Sequence, residues 1–389
     1  MAGIYLHIPF CKQACHYCNF HFSTSLHRKN DFVTALLKEI ELRKKYIGTE
    51  SIETIYFGGG TPSLLEDTEL VSVMEKLRSV FRVEDHAEIT LEANPDDIRE
   101  EKLESWRDSG INRLSIGVQS FFAEDLRWMN RAHDAAQALD SIRLAQEQGF
   151  SNISIDLIYG TPGLSDSRWK ENVSRALSLD IPHLSCYALT VEPKTALDKM
   201  IRMKKAGMTN PDDQARQFLL LMDWLDRAGY EHYEISNFAR PGKRSRHNSA
   251  YWQGKKYLGL GPSAHSYNGP SREWNASHNG QYIEAVMKGL VLAEKEELTT
   301  VQRLNEYIMI SLRTKEGCEL ERVSEIFGVD AGAALRKKAA PYLETGNLEC
   351  SGSRPTLILS REGRLLADGI AAALFFEENE LPEGPLFRS

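Results

Sequence analysis

The chain has 389 residues, of which 42% are hydrophobic and 26% are charged, a composition typical of soluble globular proteins. Its formal net charge of −8 argues against a general binder of nucleic acids or of anionic membranes. No stretch approaches ~18 consecutive apolar residues and no secretory signal pattern is found, so we expect a cytoplasmic protein with one large and one smaller domain.

The first predicted strand, Ile4–Ile8, leads into a cysteine motif. Cys11, Cys15 and Cys18 place three thiols close together, and such thiolates repel one another unless a metal centre neutralises them. A zinc site commonly takes four ligands in two separated pairs, and no second pair follows nearby. A four-iron cluster held by three thiolates would leave one iron open to a substrate. A disulfide with an odd thiol, and zinc completed by a distant histidine, remain as alternatives.

Short strand-like runs alternate with helical patterns from the start of the chain to about residue 190. The predicted strands, which are rich in β-branched and aromatic residues, are Ile4–Ile8, Thr54–Phe57, Glu88–Glu92, Arg113–Val118, Asn152–Ile158 and His183–Leu189. The segments between them repeat apolar residues at three- and four-residue intervals, as amphipathic helices do. This alternation predicts an α/β fold with a parallel sheet. Six units are too few for a closed eight-stranded barrel and predict an open partial (β/α)6 barrel.

Glycines and polar residues follow the ends of these predicted strands, where ligands bind in parallel sheets. The second strand runs into Gly58–Gly60, which permits close backbone approach to a ligand, although a tight strand-to-helix turn is the simpler interpretation. Glu92, Gln119 and Asp156 lie at or near the ends of the next three strands. Each alone could be a surface residue or a cap, but together they predict a ring of polar groups around the cysteine motif.

The segment after the predicted barrel carries a second motif. Glu192–Pro211 is polar and lysine-rich, and we predict a mobile loop over the barrel mouth. A helix over Ala215–Ala228 and a strand over Tyr230–Phe238 follow. His247 then lies beside basic residues, with aromatic residues four and five positions later, a set that could bind a flat anionic macrocycle such as haem. An exposed histidine loop over a small aromatic cluster is an equally common use of the bare pattern.

From about residue 293 the pattern changes to helices followed by a hairpin. Helical periodicity begins near Ile308, Val323 and Leu335, and Leu348–Leu359 has two strand-like ends around a turn. This order predicts a winged-helix-like α+β domain. Such domains often bind DNA, but residues 293–389 hold 12 lysine and arginine residues against 17 aspartate and glutamate residues. Phosphate binding is therefore not expected, and a lid or a docking surface is favoured.

The cysteine motif and the Tyr5-Leu-His-Ile-Pro-Phe10 run before it resemble those of the radical S-adenosylmethionine (SAM) superfamily. Within it, the chain is similar to the branch of oxygen-independent coproporphyrinogen III oxidase-like proteins that includes the radical-SAM haem chaperones. The resemblance covers nearly the whole chain and is most specific at Cys11–Phe20, Gly58–Pro62 and His247–Trp252. It implies the partial barrel and a 4Fe–4S cluster whose fourth iron binds SAM, so that the cofactor carries the one-electron chemistry.

The resemblance also implies the site residues. The cluster ligands would be Cys11, Cys15 and Cys18. The SAM-binding residues would be Tyr5, Tyr17, Gly59, Gly60, Thr61, Glu92, Gln119, Arg131, Asp156 and Ala188. His247, in its His-Asn-x2-Tyr-Trp motif, would be the ligand of haem iron, with His265 as a second candidate.

Two departures from the oxidase pattern bear on activity. The oxidase motif has a fourth cysteine two positions after the third, where this chain has Phe20. The oxidase also has an extension ahead of its cluster motif, thought to enclose the porphyrinogen, whereas here almost nothing precedes Cys11. With the His247 motif, these differences favour a haem chaperone that binds a 4Fe–4S cluster, SAM and haem and lacks coproporphyrinogen oxidase activity. The alternative is oxygen-independent coproporphyrinogen III oxidase, an enzyme of porphyrin biosynthesis.

The predicted domains follow from these motifs. Residues 1–190 would form the radical SAM partial barrel, 191–292 a barrel extension with the haem motif, and 293–389 the winged-helix-like domain. Expected partners are haem and acceptor haemoproteins such as respiratory enzymes or a haem-storing ferritin, and no nucleic acid. RNA-modifying radical enzymes share the cluster chemistry but usually carry a basic RNA-binding domain, which is not found here. A homodimer and peripheral membrane contact stay open.

Overall fold

The computed structural model describes residues 1–378 and 380 and contains two compact units. The barrel unit comprises residues 1–231, 236–250 and 255–295. The C-terminal unit comprises residues 232–235, 251–254 and the described chain from 296 onward. Among the helices of the described residues, none has the length and apolar character that crossing a membrane requires.

The strands are β1 (Ala2–Ile8), β2 (Ile52–Gly59), β3 (Val83–Ala93), β4 (Arg113–Gln119), β5 (Ile153–Tyr159), β6 (His183–Ala188), β7 (Glu231–Glu234), β8 (Asn237–Ala239), β9 (Tyr257–Leu260), β10 (His265–Tyr267), β11 (Ser271–Asn275), β12 (Ala293–Glu297), β13 (Cys318–Glu319), β14 (Leu348–Ser351) and β15 (Thr356–Leu359). The α-helices are α1 (Lys29–Leu42), α2 (Asp67–Val80), α3 (Glu100–Asp108), α4 (Ala123–Trp128), α5 (Ala135–Glu147), α6 (Asp166–Ser178), α7 (Ala196–Arg202), α8 (Pro211–Arg227), α9 (Arg246–Trp252), α10 (Asn279–Met287), α11 (Thr300–Leu312), α12 (Leu320–Phe327), α13 (Ala331–Glu344) and α14 (Ala367–Ala373). Short 3-10 helices lie at Pro62–Leu64, Pro95–Asp97 and Gly363–Leu366.

Strands β1 to β6 form a parallel sheet in which successive strands are neighbours. Strand β9 pairs parallel with β1 at one side, and β8 pairs antiparallel with β6 at the other. In the barrel unit the order is β11-β10-β9-β1-β2-β3-β4-β5-β6-β8. Six parallel strands joined by helices confirm the predicted α/β fold and its open partial (β/α)6 barrel.

The outer face of the sheet packs against the helices through apolar residues. In α1, Phe32, Leu36 and Ile40 recur at four-residue spacing and are fully buried. In β1, Ile4 and Leu6 are also fully buried in the same core. This alternation leaves every second strand residue for the inner face of the barrel.

The inner face of the barrel is polar. The buried polar side chains at alternate positions of β2 to β6 are Thr54, Glu88, Thr90, Arg113, Ser115, Ser154, His183 and Ser185. Buried polar groups require partners, and several of these find one within the protein, since Thr54 bonds to His247 and Ser154 bonds to His183. Thr90 Oγ1 and Arg113 Nε have no hydrogen-bond partner among the described residues.

The predicted mobile loop over Glu192–Pro211 is wrong in its central part. That segment contains α7, whose first turn is capped by Thr195, since the Asp198 backbone N–H donates to Thr195 Oγ1 at 3.2 Å. Leu197 is fully buried in a small apolar cluster with Met129 and other residues. Leu197, Met200 and Ile201 have the spacing of one helix face, but three apolar residues within a seven-residue segment are too few to distinguish a helix from a loop. The single strand predicted over Tyr230–Phe238 is likewise divided into β7 and β8.

The C-terminal unit has its own core. Helices α11, α12 and α13 accompany a three-stranded antiparallel sheet of order β13-β15-β14, in which β13 lies between α11 and α12 in the chain and the β14–β15 hairpin follows α13. Leu304, Leu335 and Leu357 are fully buried in that core. Three helices followed by a small hairpin sheet confirm the predicted winged-helix-like α+β arrangement.

Candidate functional site

A cavity of about 480 Å³ lies at the carboxyl ends of the parallel strands. Twelve of the fourteen predicted site residues line it: Cys11, Cys15, Tyr17, Cys18, Gly59, Gly60, Thr61, Glu92, Gln119, Arg131, Asp156 and Ala188. Parallel strands bring their carboxyl ends to one side of a sheet, which is why residues far apart in sequence meet here. The cavity belongs entirely to the barrel unit.

The three thiols of the cysteine motif are free and partly buried on one wall of this cavity. Burial, with a smaller contribution from the neighbouring thiols, raises the pKa of Cys11 to about 11. Burial also raises the pKa of Cys18. A bound metal centre would counteract these shifts because it favours the thiolate form.

The donors around the thiols fit an iron–sulfur cluster better than a single ion. Within residues 1–378 and 380, no three histidine, cysteine or acidic side chains are placed to share one metal ion. Thr61 Oγ1 lies 3.5 Å from Cys11 Sγ, and Arg131 Nη1 lies 3.2 Å from Cys15 Sγ, both as hydrogen-bond donors. In a cluster each thiolate binds a different iron, and hydrogen bonds to sulfur adjust the cluster's potential.

Asn94, which the sequence reasoning missed, connects these two donors. Its Nδ2 donates to Thr61 Oγ1 at 3.2 Å, and Arg131 Nη2 donates to its Oδ1 at 2.6 Å. A continuous series of hydrogen bonds therefore runs from Cys11 Sγ to Cys15 Sγ through Asn94. The residue directly follows β3, so the strand-end rule applied to its neighbours could have found it.

Two partly buried carboxyl groups share the cavity wall. The Tyr56 hydroxyl donates to Glu92 Oε1 at 2.8 Å, and the Gly59 backbone N–H donates to Glu92 Oε2 at 3.2 Å. Burial, with the nearby charge of Asp156, raises the pKa of Glu92 to about 7. Burial raises the pKa of Asp156 to about 6. Ligand donors such as ribose hydroxyls or an ammonium group would satisfy such acceptors and favour their ionised forms.

Gln119 and Arg131 add features expected at a ligand site. Gln119 has φ of +66°, a left-handed conformation that is uncommon for a residue other than glycine and recurs at functional sites. Arg131 also donates through Nη2 to the Gly117 carbonyl at 2.8 Å. Its buried Nε has no hydrogen-bond partner among the described residues. A ligand carboxylate is one group that could satisfy this donor.

The glycine turn is required by its neighbours within the protein. Gly59 has φ of +104°, and a Cβ there would lie 2.5 Å from His7 Nδ1. A Cβ on Gly60 would lie 2.7 Å from the carbonyl oxygens of Ile8 and Phe10. The tight-turn interpretation is therefore confirmed, and the turn also directs the Gly59 N–H toward Glu92.

Tyr5 and His247 do not line the cavity. Tyr5 lies on the inner face of β1, where its ring stacks on Tyr56 with centroids 6.1 Å apart and its hydroxyl lies 3.3 Å from His7 Nδ1. If Tyr5 acts on the cluster as predicted, it does so without lining the cavity.

His247 occupies the barrel interior and is only 2% exposed. Its Nδ1 lies 2.8 Å from Thr54 Oγ1, and its ring stacks on Tyr56. Burial, with the charge of Arg113, lowers its pKa to about 3. The alternative of an exposed histidine loop is wrong. Iron ligation by His247 stays a prediction and requires α9 to move out of this position.

Two exposed aromatic rings stand at the cavity rim. Phe20, at the position where the oxidase pattern has a cysteine, is 69% exposed, and Tyr187 at the end of β6 is 43% exposed. The sequence reasoning did not single out Tyr187. Large exposed rings beside a site are typical of surfaces that receive a flat or apolar partner.

Residues 5–176 match the family model of the Radical SAM superfamily, and residues 298–366 match the HemN C-terminal domain. The chain is 36% identical over 378 residues to the protein named Heme chaperone HemW from Mycobacterium tuberculosis (strain ATCC 25618 / H37Rv), covering 96% of this chain and 94% of the relative. It is 33% identical over 380 residues to Heme chaperone HemW from Bacillus subtilis (strain 168), covering 97% and 100%.

A solved structure described as coproporphyrinogen III oxidase (HemN) from Escherichia coli, a radical SAM enzyme, matches with a TM-score of 0.82 and 25% sequence identity. The match covers 96% of this chain and 90% of that one. This likeness extends across both the partial barrel and the winged-helix-like part, and it confirms the fold as the radical SAM type. The chain therefore belongs to the HemW family within the radical SAM superfamily.

Proposed function

We propose that this protein is a cytoplasmic haem chaperone, which binds a 4Fe–4S cluster, SAM and haem and delivers haem to acceptor haemoproteins. The main support for the proposal is that an exposed ring, Phe20, lies at the cavity rim at the position where the oxidase motif has its fourth cysteine. The relatives named Heme chaperone HemW support it, since they align with nearly the whole chain.

The cofactor site would use the cavity residues in distinct roles. Cys11, Cys15 and Cys18 would hold the cluster, which with SAM supplies one-electron chemistry when bound. Glu92 and Asp156 would accept hydrogen bonds from the hydroxyl and amino groups of SAM. The ligand set would be completed by Tyr5, Tyr17, Gly59, Gly60, Thr61, Gln119, Arg131 and Ala188.

The haem site would involve His247 as the iron ligand, in a conformation in which α9 has left the barrel interior. Outside the barrel the burial that lowers its pKa is lost, but an imidazole with the ordinary pKa of about 6.5 is still mostly neutral at physiological pH, and neutral imidazole is the form that binds iron. Respiratory enzymes and a haem-storing ferritin are the acceptors we propose.

An anaerobic assay tests this function against that of the oxidase. Cluster-loaded protein, a reductant and SAM are supplied in parallel with coproporphyrinogen III or with haem and a haem-free acceptor protein. We expect stoichiometric haem uptake, transfer to the acceptor and no protoporphyrinogen by liquid chromatography. Appreciable conversion of coproporphyrinogen III would overturn the chaperone assignment.

The iron ligand is tested with two histidine variants. His247→Ala should abolish the absorption spectrum of ligated haem, while His265→Ala, which changes an exposed histidine on β10, should retain it. The reverse result would move the ligand to His265. Circular dichroism of both variants checks that each remains folded.

A further inference from the structure

His247, Tyr56 and Glu92 form a column of contacts that runs through the barrel from the haem motif to the cavity wall. His247 and Tyr56 stack with ring centroids 5.0 Å apart and an interplanar angle of 26°. The Tyr56 hydroxyl donates to Glu92 Oε1, and the Gly59 N–H donates to the other oxygen of the same carboxylate. All four residues belong to the barrel unit, but only Glu92 and Gly59 line the cavity.

Tyr56 fixes the orientation of Glu92 without facing the cavity itself. Its side chain is buried at 9% exposure, so its ring can shift only if its neighbours shift. Those neighbours are two rings, Tyr5 at 6.1 Å and His247 at 5.0 Å between centroids. The direction in which the Glu92 carboxylate presents its oxygens therefore depends on the rings behind it.

His247 is held in this column from two sides. Its Nδ1 lies 2.8 Å from Thr54 Oγ1, and its backbone N–H donates to Glu88 Oε1 at 3.0 Å. A ring nitrogen that binds haem iron must leave this enclosed position, because a macrocycle is far too large for the space. Its departure would remove a stacking partner from Tyr56 and loosen the Tyr56 hydroxyl from Glu92.

We propose that Tyr56 is a positioning residue of the SAM site and that His247 supports it, so that haem ligation by His247 and SAM binding oppose each other. The inference rests on the proposed function, which supplies both ligands. Coupling between two binding sites is reciprocal, so haem weakens SAM binding by the same factor by which SAM weakens haem binding. A carrier with this coupling gives up its haem when SAM binds.

The hydroxyl of Tyr56 is tested with a matched pair of buried tyrosines. Tyr56→Phe keeps the ring that stacks on His247 and removes the donor to Glu92. Tyr282→Phe removes a similar buried donor, since the Tyr282 hydroxyl donates to Glu39 Oε2 at 2.6 Å away from the cavity. Equilibrium dialysis of SAM against cluster-loaded protein should show about tenfold weaker binding for Tyr56→Phe and no change for Tyr282→Phe. Equal SAM affinities in wild type and Tyr56→Phe would overturn the positioning role.

The opposition between the ligands is tested with Thr54→Val, which removes the partner of His247 Nδ1 with little change of shape. Freed from Thr54, His247 should leave the column more readily, so haem binding should tighten as SAM binding weakens. A general loss of structure would weaken both affinities, and that result would contradict the coupling.

Haem titrations with and without saturating SAM complete the test in the wild-type protein. We expect SAM to weaken haem binding by about fivefold or more, and Tyr56→Phe to reduce that factor. Failure of the wild-type protein to bind haem at all would contradict the proposed function. Binding of both ligands with independent affinities would contradict this inference alone.

Discussion

The carboxyl group of Glu92 makes the stability of the cofactor-free barrel depend on pH. Its folded-state pKa is raised to about 7, chiefly by burial. At pH values between the ordinary pKa of a glutamate, about 4.5, and this raised pKa, the Glu92 carboxyl group is protonated in the folded protein and ionised in the unfolded chain. The contribution of Glu92 to stability is therefore largest below about pH 4.5 and falls as pH rises toward 7, whereas buried histidines such as His247, whose pKa is lowered to about 3, contribute in the opposite direction.

Glu92→Gln should remove this pH dependence and stabilise the cofactor-free protein near pH 8 by up to about 3 kcal/mol. Urea unfolding at pH 5 and pH 8 measures the difference between the variant and the wild type. SAM affinity should rise with pH through the same range in the wild type, because the ionised carboxylate is the better acceptor. A difference in stability between Glu92→Gln and the wild type that is the same at pH 5 and pH 8 would contradict the raised pKa.

Asn94 offers a second test, because it connects the donors to two of the cluster thiols. Asn94→Ala should weaken cluster retention about tenfold, since residues that orient metal ligands commonly contribute factors of this size. Loss of donors to sulfur should also make the cluster's reduction potential more negative. The rate of iron release to a chelator and a redox titration measure these effects.

Asn172 provides the control for that variant. It is fully buried in the same unit and accepts a hydrogen bond from the Phe121 backbone N–H at 2.7 Å, but it does not line the cavity. Asn172→Ala should lower stability without changing iron release. Equal iron release from both variants would show that Asn94 acts only through general stability.

Site residues could be predicted where their position depends on the nearby strand alone, and not where it depends on contacts with distant parts of the chain. Glu92, Gln119 and Asp156 follow from a rule about strand ends, which requires only the strands themselves. The position of His247 depends on Thr54, 193 residues away in sequence, and on the stacking of Tyr56. Nothing near His247 in the sequence indicates that its helix begins inside the barrel.

Helix α7 shows how a short element can stabilise a distant motif. The Leu197 backbone N–H donates to the His16 carbonyl at 2.7 Å, between two of the cluster cysteines. The Leu197 side chain is fully buried in a cluster that Tyr17 also contacts. The helix therefore holds the cysteine loop from behind.

Leu197→Ala should cost about 2–5 kcal/mol of stability and should speed iron loss from the loaded protein. The matched variant is Leu225→Ala, which truncates a fully buried leucine of α8 in the main barrel core. It should cost a similar amount but leave iron release unchanged. If both variants lose iron at the same rate, α7 has no specific role in the cysteine loop.

Long elements were easier to predict than short ones for a physical reason. Helix α1 repeats buried apolar residues over several turns, and its core-facing stripe is visible in the sequence. Helix α7 spans only seven residues, of which Leu197 is fully buried and Ile201 is partly buried in the same cluster, so its packing partners decide its conformation. The same holds for β7 and β8, which are too short to carry a pattern.

The described residues form two large hydrophobic cores that share no buried residue, beside the small cluster that contains Leu197. The sequence pattern changes near residue 293 to helices followed by a hairpin. The boundary between the two compact units lies close by, between residues 295 and 296. The small segments 232–235 and 251–254, however, group with the C-terminal unit. Such interleaving arises from long-range packing and leaves no mark in composition or periodicity.

Two cores predict two unfolding transitions in calorimetry of the full chain. The proposed SAM site lies within the barrel unit. Saturating SAM at ~100 times its Kd should therefore stabilise the cluster-loaded barrel by about 2.7 kcal/mol and raise only that transition. Leu335→Ala in the C-terminal core should instead lower only the other transition, by roughly 10 °C. Leu36→Ala in the barrel core provides the reciprocal variant. A single transition that moves with SAM and with Leu335→Ala alike would mean that the two cores unfold as one cooperative body.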